Sequence, residues 1–314
     1  MDEISFNTCK PISIDQFHFT TKRGKDLSLN VNKLEKALGY KLPSIDQSIE
    51  SFYRDFKCGL HKEIKQYLVK PSHQLSFIPY GFHWIDDTDI NEVVKVLKSN
   101  QITQGHTVED FQTALECYCN AKYSIAVNSG TSALHIACLA IGLQTGDEII
   151  TTPITFVASA NCAVLCGATP IFVDIDPKNL CLDPFQIEKS ITKKTAAIIP
   201  VHFGGMPCNL DKISKISKKN KIVMIEDAAH AVGSIFNKKP IGSHGDCVCF
   251  SFHPVKNLSM PNGGAITLNG SQSKSFSEIL KSLRWCGISD RIGTQYDVKE
   301  VGWNYYMNEI SAGI

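Results

Sequence analysis

Short apolar runs alternate with amphipathic segments from about Pro79 to the end of the chain. The runs Tyr123–Val127, Ala196–His202, Ile222–Glu226 and Cys247–Phe252 are mostly apolar, which predicts strands that are covered on both faces of a sheet. Strands that alternate with helices predict a mostly parallel, doubly wound α/β sheet. Ligands of such sheets bind at the carboxyl ends of the strands, so the residues at those ends are the first candidates for chemistry.

The same pattern predicts the remaining elements. Further strands are expected over Glu148–Thr151, Pro170–Asp174 and Ala265–Leu268. One helix opens at Thr88 or Asp89, with an apolar face made of Ile90, Val93, Val94 and Leu97, and another opens at Thr107. The other predicted helices are Ser132–Ile141, Thr155–Cys166, Pro184–Ile191, Leu210–Lys219 and Ser275–Arg284.

The two ends of the chain differ from this middle part. Residues 1–75 lack the alternation and predict an N-terminal extension, so we divide the chain into residues 1–75 and residues 76–314. At the other end, a helix begins whose apolar residues Met307, Ile310 and Ile314 have no partner of their own. The sequence therefore predicts a large domain that is truncated at its C-terminus and exposes an apolar face there.

Composition excludes several classes of protein. Of the 314 residues, 43% are hydrophobic and 20% are charged, which indicates a large core. The formal net charge of +1 argues against a dedicated nucleic-acid binder. No membrane-spanning run and no signal peptide are visible, which predicts a cytoplasmic protein without membrane contact. The twelve cysteines are then expected to be reduced core residues, since their spacing matches no structural zinc site.

Two predicted strands are followed by clusters that suit an anion and a cation. The first, Asn128–Leu134, reads Asn-Ser-Gly-Thr-Ser-Ala-Leu, and its N–H groups at a helix start suit a phosphate. Taken alone, a Ser or Thr helix cap is the commoner explanation. In the second, Asp227 follows a buried strand, where it needs a partner such as a protonated heterocyclic nitrogen or a structural Arg or Lys. A helix there would place His230 on the same face as Asp227.

Two further strand ends present an aromatic ring and an amine. Phe156 follows a strand and is placed to stack on a planar ring, although a lone Phe is more often a core residue. Lys256 follows the strand that ends at Phe252. Most lysines are solvated, but partial burial at a strand end lowers the pKa of the amine and makes it nucleophilic. His253, which lies between Phe252 and Lys256 in the sequence, is expected to be packed in the core.

Together these four features match one cofactor. A phosphate-binding turn, a stacking aromatic, a strand-end carboxylate and a strand-end lysine are the groups that pyridoxal 5′-phosphate needs from a protein. Neither G-x-G-x-x-G nor G-x-x-x-x-G-K-[ST] occurs in the chain, which removes the main support for a dinucleotide or P-loop site.

From about Ile78 onward the sequence resembles the DegT/DnrJ/EryC1/StrS family of nucleotide-sugar aminotransferases, whose large domain has the aspartate-aminotransferase-like fold (fold type I). The matching stretches are IPYG, TQG, NSGTSALH, TPITFVASAN, GATPIFVDIDP, PVHFGG, IEDAAHAVGS and FSFHPVKN. Within the family it is similar to the transaminase of pseudaminic acid biosynthesis, which makes a UDP-4-amino-4,6-dideoxy-N-acetyl-altrosamine. The resemblance implies amino transfer from L-glutamate to a UDP-linked 4-keto-6-deoxy-hexose, for amino sugars of cell-surface or flagellar glycans.

The resemblance also implies roles for individual residues. Lys256 is implied as the catalytic lysine that binds the cofactor covalently, and Asp227 as the catalytic partner of its pyridinium nitrogen. The other implied cofactor contacts are Phe156 at the ring face, His230 near the 3-hydroxyl, and Gly130, Thr131 and Ser251 at the phosphate. Asn304 matches a segment that reaches into the site of the neighbouring subunit, so the resemblance implies a homodimer. It implies no metal.

The sequence departs from the family pattern in three places. Residues 259–264 read Ser-Met-Pro-Asn-Gly-Gly where the family has threonines and then Gly-Glu-Gly-Gly. Asn304-Tyr305-Tyr306 replaces Asn-Tyr-Arg, and the small domain does not follow residue 314. These departures favour, as the alternative, a catalytically impaired homologue that binds the cofactor without turnover. The dehydratase branch of the family, with His at the lysine position, is disfavoured by Lys256.

The N-terminal part shows a different and shorter resemblance. Ile12–Phe56 resembles the C-terminal tail of a sugar-nucleotide reductase of the extended short-chain dehydrogenase group, at Lys22-Arg23, Leu27-Ser28-Leu29 and Leu38-Gly39. An unrelated helical extension is the alternative.

Overall fold

A computed structural model describes residues 81–292 and 294–314 of the chain. The predicted N-terminal extension and the reductase-like stretch Ile12–Phe56 lie outside the described residues, and both stay predictions. Within the described part, no helix is long and apolar enough to cross a membrane.

The predicted helices and strands follow one another in the expected order, and two short hairpins are added to them. The helices are α1 (Asp87–Lys98), α2 (His106–Cys119), α3 (Gly130–Ala140), α4 (Ala158–Leu165), α5 (Pro184–Ser190), α6 (Leu210–Asn220), α7 (Ser273–Leu283) and α8 (Glu309–Ala312). The strands are β1 (Tyr123–Val127), β2 (Glu148–Thr151), β3 (Thr169–Phe172), β4 (Thr195–Ile198), β5 (Val223–Asp227), β6 (Ile235–Phe236), β7 (Lys239–Pro240), β8 (Cys247–Ser251), β9 (Gly264–Leu268), β10 (Ile288–Ile292) and β11 (Gln295–Val298).

A seven-stranded sheet forms the centre, in the order β1-β9-β8-β5-β4-β2-β3. Strand β9 is antiparallel to both of its neighbours, β1 and β8, whereas the pairs from β8 to β3 are parallel. The carboxyl ends of the parallel strands and of β1 therefore meet at one edge. The expectation of a mostly parallel α/β sheet is confirmed.

The apolar runs are explained by burial on both faces of this sheet. Neighbouring residues in one strand belong to opposite clusters: Ile149 packs on one side of the sheet and Ile150 on the other, and Cys249 and Phe250 divide in the same way. Because successive side chains of a strand point to opposite faces, only a run that is apolar throughout satisfies both layers.

Cysteines contribute to both of these layers. The ten cysteines of the described residues are free thiols, and seven of them are buried. The expectation of core cysteines is correct for these seven and wrong for Cys117 and Cys286, which are exposed.

Two helix boundaries differ from prediction in a way that shapes the site. Helix α4 begins at Ala158 rather than Thr155, so Thr155 and Phe156 lie in the connection after β2. Helix α3 begins at Gly130 rather than Ser132, because the Ser129 hydroxyl caps it by accepting the N–H of Ser132. Polar loop residues are thereby placed at the carboxyl edge of the sheet.

Three surface features were not expected from the pattern. The apolar face predicted for α1 is exposed in the described part of the chain, with Ile90 and Leu97 at 50% and 57% exposure, and the buried residue of this helix is Val96. The hairpins β6–β7 and β10–β11 were not predicted. Strand β11 is exposed along its length, so no burial alternation marks it in the sequence.

The C-terminal segment is packed, which contradicts the predicted exposed apolar face. Met307 is only 1% exposed and belongs to the core, and Ile314 packs against the same cluster. The Glu309 carboxylate is also buried, and it accepts the N–H groups of Gly105 and Thr107 at 2.8 Å and of Val108 at 3.0 Å. These donors form the N-terminus of α2, where a carboxylate is favoured by the helix dipole. The segment thus has partners within its own chain.

We expect Glu309→Gln to lower the free energy of unfolding by ~1–3 kcal/mol at neutral pH, because charge-assisted hydrogen bonds are lost. Burial alone raises the pKa of Glu309, but the hydrogen bonds from Thr107, Val108 and Gly105 outweigh burial and lower the pKa. A lowered pKa stabilises the fold above the unfolded-state value of about 4.3, and this contribution is lost as the pH falls through the folded-state value.

Urea unfolding of wild type and Glu309→Gln as a function of pH measures this difference in the free energy of unfolding. The difference between wild type and Glu309→Gln should be constant near neutral pH and shrink in acid. Glu278→Gln, an exposed exchange on α7, is the control and should have little effect. A difference that is absent at neutral pH, or that grows in acid, contradicts this account.

Candidate active site

A cavity of about 650 Å³ opens at the carboxyl edge of the central sheet. It is formed by the connections that follow β1, β2, β4, β5 and β8, together with the residues before β9. The lining residues are Ser129, Gly130, Thr131, Leu134, Thr155, Phe156, Ala158, Val201, His202, Phe203, Asp227, Ala229, His230, Cys249, Ser251, His253, Val255, Lys256, Asn262 and Gly263. This is the edge at which parallel α/β sheets bind their ligands.

One wall of the cavity is the N-terminus of α3. Ser129 takes up two N–H groups of the first turn: its hydroxyl accepts that of Ser132 at 3.1 Å, and its carbonyl accepts that of Ala133 at 3.0 Å. Within the described residues, this leaves the N–H groups of Gly130 and Thr131 for an anion. The helix-cap and phosphate interpretations of this turn are therefore compatible, since Ser129 caps the helix while the next two amides remain available.

The absence of a side chain at Gly130 lets this turn lie directly against β8. A Cβ atom built on Gly130 would be 2.7 Å from the Cβ of Ser251. Any larger residue would push the turn away from the strand. Thr131 on the turn would then move away from Ser251 on the strand, and both of these residues line the cavity. The glycine is required here by close approach.

The floor of the cavity carries a buried carboxylate. Asp227, the last residue of β5, is 5% exposed. Its Oδ1 accepts the N–H of Ala229 at 3.1 Å, and its Oδ2 accepts the hydroxyl proton of Ser159 at 2.6 Å. The main chain is fixed as well, because the N–H of Asp227 donates to the carbonyl of Pro200 and its carbonyl accepts the N–H of His202.

Lys256 lies in the connection after β8 and is partly buried. Burial lowers the pKa of Lys256, and the negative charge of Asp227 opposes that shift without cancelling it. The amine therefore has a larger neutral fraction near neutral pH than an exposed lysine, which is the property that the sequence analysis expected of this position.

Besides the buried His202, two further histidines line the same cavity. His230 lies in a turn and lines the cavity together with Asp227, so the two share the site without a helix between them. Burial and the charge of Lys256 lower the pKa of His230, while Asp227 acts in the opposite direction, so its imidazole is favoured in the neutral form. His253 also lines the cavity, and it is exposed. The prediction that His253 is a core residue is wrong.

Seven of the eight residues implied by the sequence meet in this cavity: Gly130, Thr131, Phe156, Asp227, His230, Ser251 and Lys256. Phe156 is 71% exposed, so it is not the core aromatic that would be the commoner outcome. Asn304 does not line the cavity of its own chain. It is exposed, and its carbonyl accepts the side-chain N–H of Asn128 at 3.3 Å. Its role at a neighbouring subunit stays a prediction.

Sequence reasoning missed the groups that support Asp227. Ser159 is fully buried, and its hydroxyl lies 2.7 Å from the Thr155 hydroxyl, which lines the cavity. A hydroxyl among the alanines of ASAN was the available signal, because a buried serine needs a polar partner.

A second buried pair lies beside the cavity and was also missed. His202 Nδ1 accepts the N–H of Cys208 at 3.1 Å. Its Nε2 therefore carries the proton, which it donates to Glu226 Oε2 at 2.9 Å. Both side chains are fully buried. The pair ties the end of β4 to β5, next to Asp227.

We expect Gly130→Ala to destabilise the chain by about 1–3 kcal/mol, the usual cost of forcing a larger group into a packed site. In a Ser251→Gly background the opposing Cβ is gone, so the same exchange should cost less. Urea unfolding of wild type, both single variants and the double variant gives the coupling free energy between positions 130 and 251. Additive losses would show that the turn does not press on Ser251.

Comparison with known proteins places this geometry in a family. Residues 83–314 match the sequence profile of the DegT/DnrJ/EryC1/StrS aminotransferase family. GDP-perosamine synthase of Caulobacter vibrioides is 38% identical over 231 residues, which are 73% of this chain and 61% of that protein. The chain spans less than two thirds of the length of the curated relatives that it matches.

Solved structures agree with the sequence comparison. Helicobacter pylori PseC, an aminotransferase involved in the biosynthesis of pseudoaminic acid, superposes with a TM-score of 0.70 at 33% identity, covering 75% of this chain and 63% of that one. The PLP form of Spr1654 from Streptococcus pneumoniae gives 0.71 at 30% identity, with 75% and 64% covered. The chain therefore belongs to the DegT/DnrJ/EryC1/StrS aminotransferase family, whose members use pyridoxal 5′-phosphate.

Proposed function

We propose that the protein transfers an amino group from L-glutamate to the 4-keto carbon of a UDP-linked 4-keto-6-deoxy-hexose, with pyridoxal 5′-phosphate as cofactor. The observation that carries the proposal is the meeting of three groups in one cavity: the amine of Lys256, the carboxylate of Asp227 and the N-terminus of α3. A lysine, a buried acid and an anion site together are what this cofactor requires of a protein.

The residues present fit the cofactor. The free N–H groups of Gly130 and Thr131, with the hydroxyls of Thr131 and Ser251, would hold its phosphate. The exposed face of Phe156 would cover the ring, and the carboxylate of Asp227 would pair with the protonated ring nitrogen. Lys256 would hold the cofactor covalently. When bound, the cofactor supplies a positively charged ring that accepts electrons from the carbon being deprotonated.

Each of these residues has a defined task in amino transfer. The lowered pKa of Lys256 leaves more of the amine unprotonated. Its Nζ atom can then take up a proton from one carbon and return it to another. The Asp227 carboxylate would stabilise the positive charge of the ring nitrogen. This matters because the carboxylate is buried, and a positive charge in a buried site is costly without a partner. The neutral imidazole favoured at His230 offers a hydrogen bond without adding a competing charge.

The substrate class is supported by the relatives. PseC is an aminotransferase of pseudoaminic acid biosynthesis, and the Caulobacter relative is a GDP-perosamine synthase. Both names point to sugars, one of them GDP-linked. The UDP carrier and the glutamate donor rest on the resemblance of this sequence to the pseudaminic acid transaminase.

We also propose that the protein acts as a homodimer. Asn304 is exposed and lies outside the cavity of its own chain. This position suits a residue that contributes to the site of a second copy, as the resemblance implies. No nucleic acid or membrane is part of the proposal.

A cofactor-binding protein without turnover is the second candidate, and two observations favour it. Asn262, which lines the cavity, stands where the family has Glu, and Tyr306 stands where it has Arg. Both exchanges remove a charge, and neither alters the groups that would hold the cofactor. Binding of the cofactor and transfer of the amino group must therefore be measured separately.

The experiment supplies the chain with pyridoxal 5′-phosphate, ¹⁵N-labelled glutamate and either a UDP- or a GDP-linked 4-keto-6-deoxy-hexose. We expect the label in a 4-amino product of the UDP sugar by mass spectrometry, because Lys256 and Asp227 are both in place. Lys256→Ala should abolish incorporation. Lys218→Ala, an exchange on the surface of α6, is the matched control and should retain it.

The other outcomes are equally informative. Labelling of the GDP sugar alone would overturn the proposed carrier. Cofactor binding without any labelled sugar, for either carrier, would establish the second candidate. Incorporation that survives Lys256→Ala would show that the lysine is not part of the chemistry.

A further inference from the structure

Both oxygens of the Asp227 carboxylate already accept hydrogen bonds from groups of the protein. Oδ1 accepts the main-chain N–H of Ala229, and Oδ2 accepts the hydroxyl proton of Ser159 at 2.6 Å. Two donors on one carboxylate, one to each oxygen, fix its rotation. The lone pairs that remain are the ones available to a group in the cavity.

The direction of the Ser159 proton follows from its neighbours. Ser159 has one hydroxyl proton, and its Oγ is near Asp227 Oδ2 at 2.6 Å and Phe156 O at 3.3 Å. The charged acceptor at the shorter distance is the stronger partner. The Thr155 hydroxyl, 2.7 Å away, is then the donor to Ser159. The proton order is therefore Thr155 to Ser159 to Asp227.

Thr155, Ser159 and Asp227 form a chain of hydrogen bonds whose two end residues, Thr155 and Asp227, line the cavity. Thr155 lines the cavity beside Phe156, and the N–H of Ser159 donates to the carbonyl of Phe156 at 3.2 Å. Ser159 itself is fully buried and does not line the cavity. Its hydroxyl therefore acts on a bound molecule indirectly, through Asp227 and Thr155, which both line the cavity.

We propose that Ser159, oriented by Thr155, is a positioning residue that fixes the orientation of the Asp227 carboxylate toward the ring nitrogen of the cofactor. The inference rests on the proposed function, since it needs a nitrogen-containing ring in the cavity. It predicts that the loss of Ser159 is felt only by a ligand whose ring presents that nitrogen. A purely structural role predicts equal loss for any ligand of the same shape.

The test compares two ligands in the full 314-residue chain. One is pyridoxamine 5′-phosphate, which forms no covalent bond to Lys256, and the other is its analogue with C–H in place of the ring nitrogen. Dissociation constants are measured by fluorescence titration for wild type, Ser159→Ala, Asp227→Asn and the double variant. Ser217→Ala is the matched control, because the buried Ser217 hydroxyl bonds a backbone carbonyl at 2.6 Å away from the cavity.

We expect Ser159→Ala to weaken pyridoxamine 5′-phosphate about tenfold, the scale of one hydrogen bond to a charged group, and to leave the carbon analogue unchanged. In the Asp227→Asn background the same exchange should add no further loss. Ser217→Ala should change neither constant. If Ser159→Ala does not fold, Ser159→Cys replaces it, because a thiol is a similarly sized but weak donor, and Thr155→Val should give a smaller loss with the same ligand selectivity.

Three results would overturn the inference. They are an equal loss for both ligands, no loss for either, or losses at Ser159 and Asp227 that simply add. Failure of the proposed function looks different, because wild type itself would then bind neither ligand, and the inference would fall with it.

Discussion

A single buried carboxylate organises the site. Asp227 ends a central strand at 5% exposure, and a charge in that position is costly unless it is hydrogen-bonded or paired. The hydroxyl of Ser159 and the N–H of Ala229 meet part of this requirement, and the charge of Lys256 acts across the cavity. What remains is a negative group aimed at open space, which suits a cationic heterocycle better than a neutral ligand.

The sheet is what brings the other groups to this carboxylate. Gly130, Phe156 and Lys256 are far apart in sequence, but each follows a strand that ends at the same edge. Strand β9 runs antiparallel to β8, so it begins at that same edge, where the preceding Gly263 lines the cavity. At the C-terminal end, Glu309 fixes the start of α2 through three main-chain donors. The fold thus brings a helix N-terminus, an exposed aromatic ring and an amine together, although they are far apart in sequence.

The sequence alone predicted the sheet and most of the cavity, because both depend on local signals. Continuous apolar runs marked the buried strands, and polar residues directly after them marked the edge. Three kinds of feature escaped. The hydrogen bond from Ser159 to Asp227 joins residues 68 positions apart, the packing of Met307 depends on the whole core, and the exposed hairpin β10–β11 has no burial pattern to read. His253 was misassigned because nothing local distinguishes a core histidine from one beside a cavity.

A structure of the 314-residue chain with pyridoxal 5′-phosphate tests the central claim most directly. The account predicts continuous density between the cofactor and Lys256 Nζ, the phosphate at the N–H groups of Gly130 and Thr131, and the ring nitrogen within hydrogen-bond distance of the Asp227 carboxylate. Cofactor bound elsewhere, or a ring whose nitrogen faces away from Asp227, would contradict it.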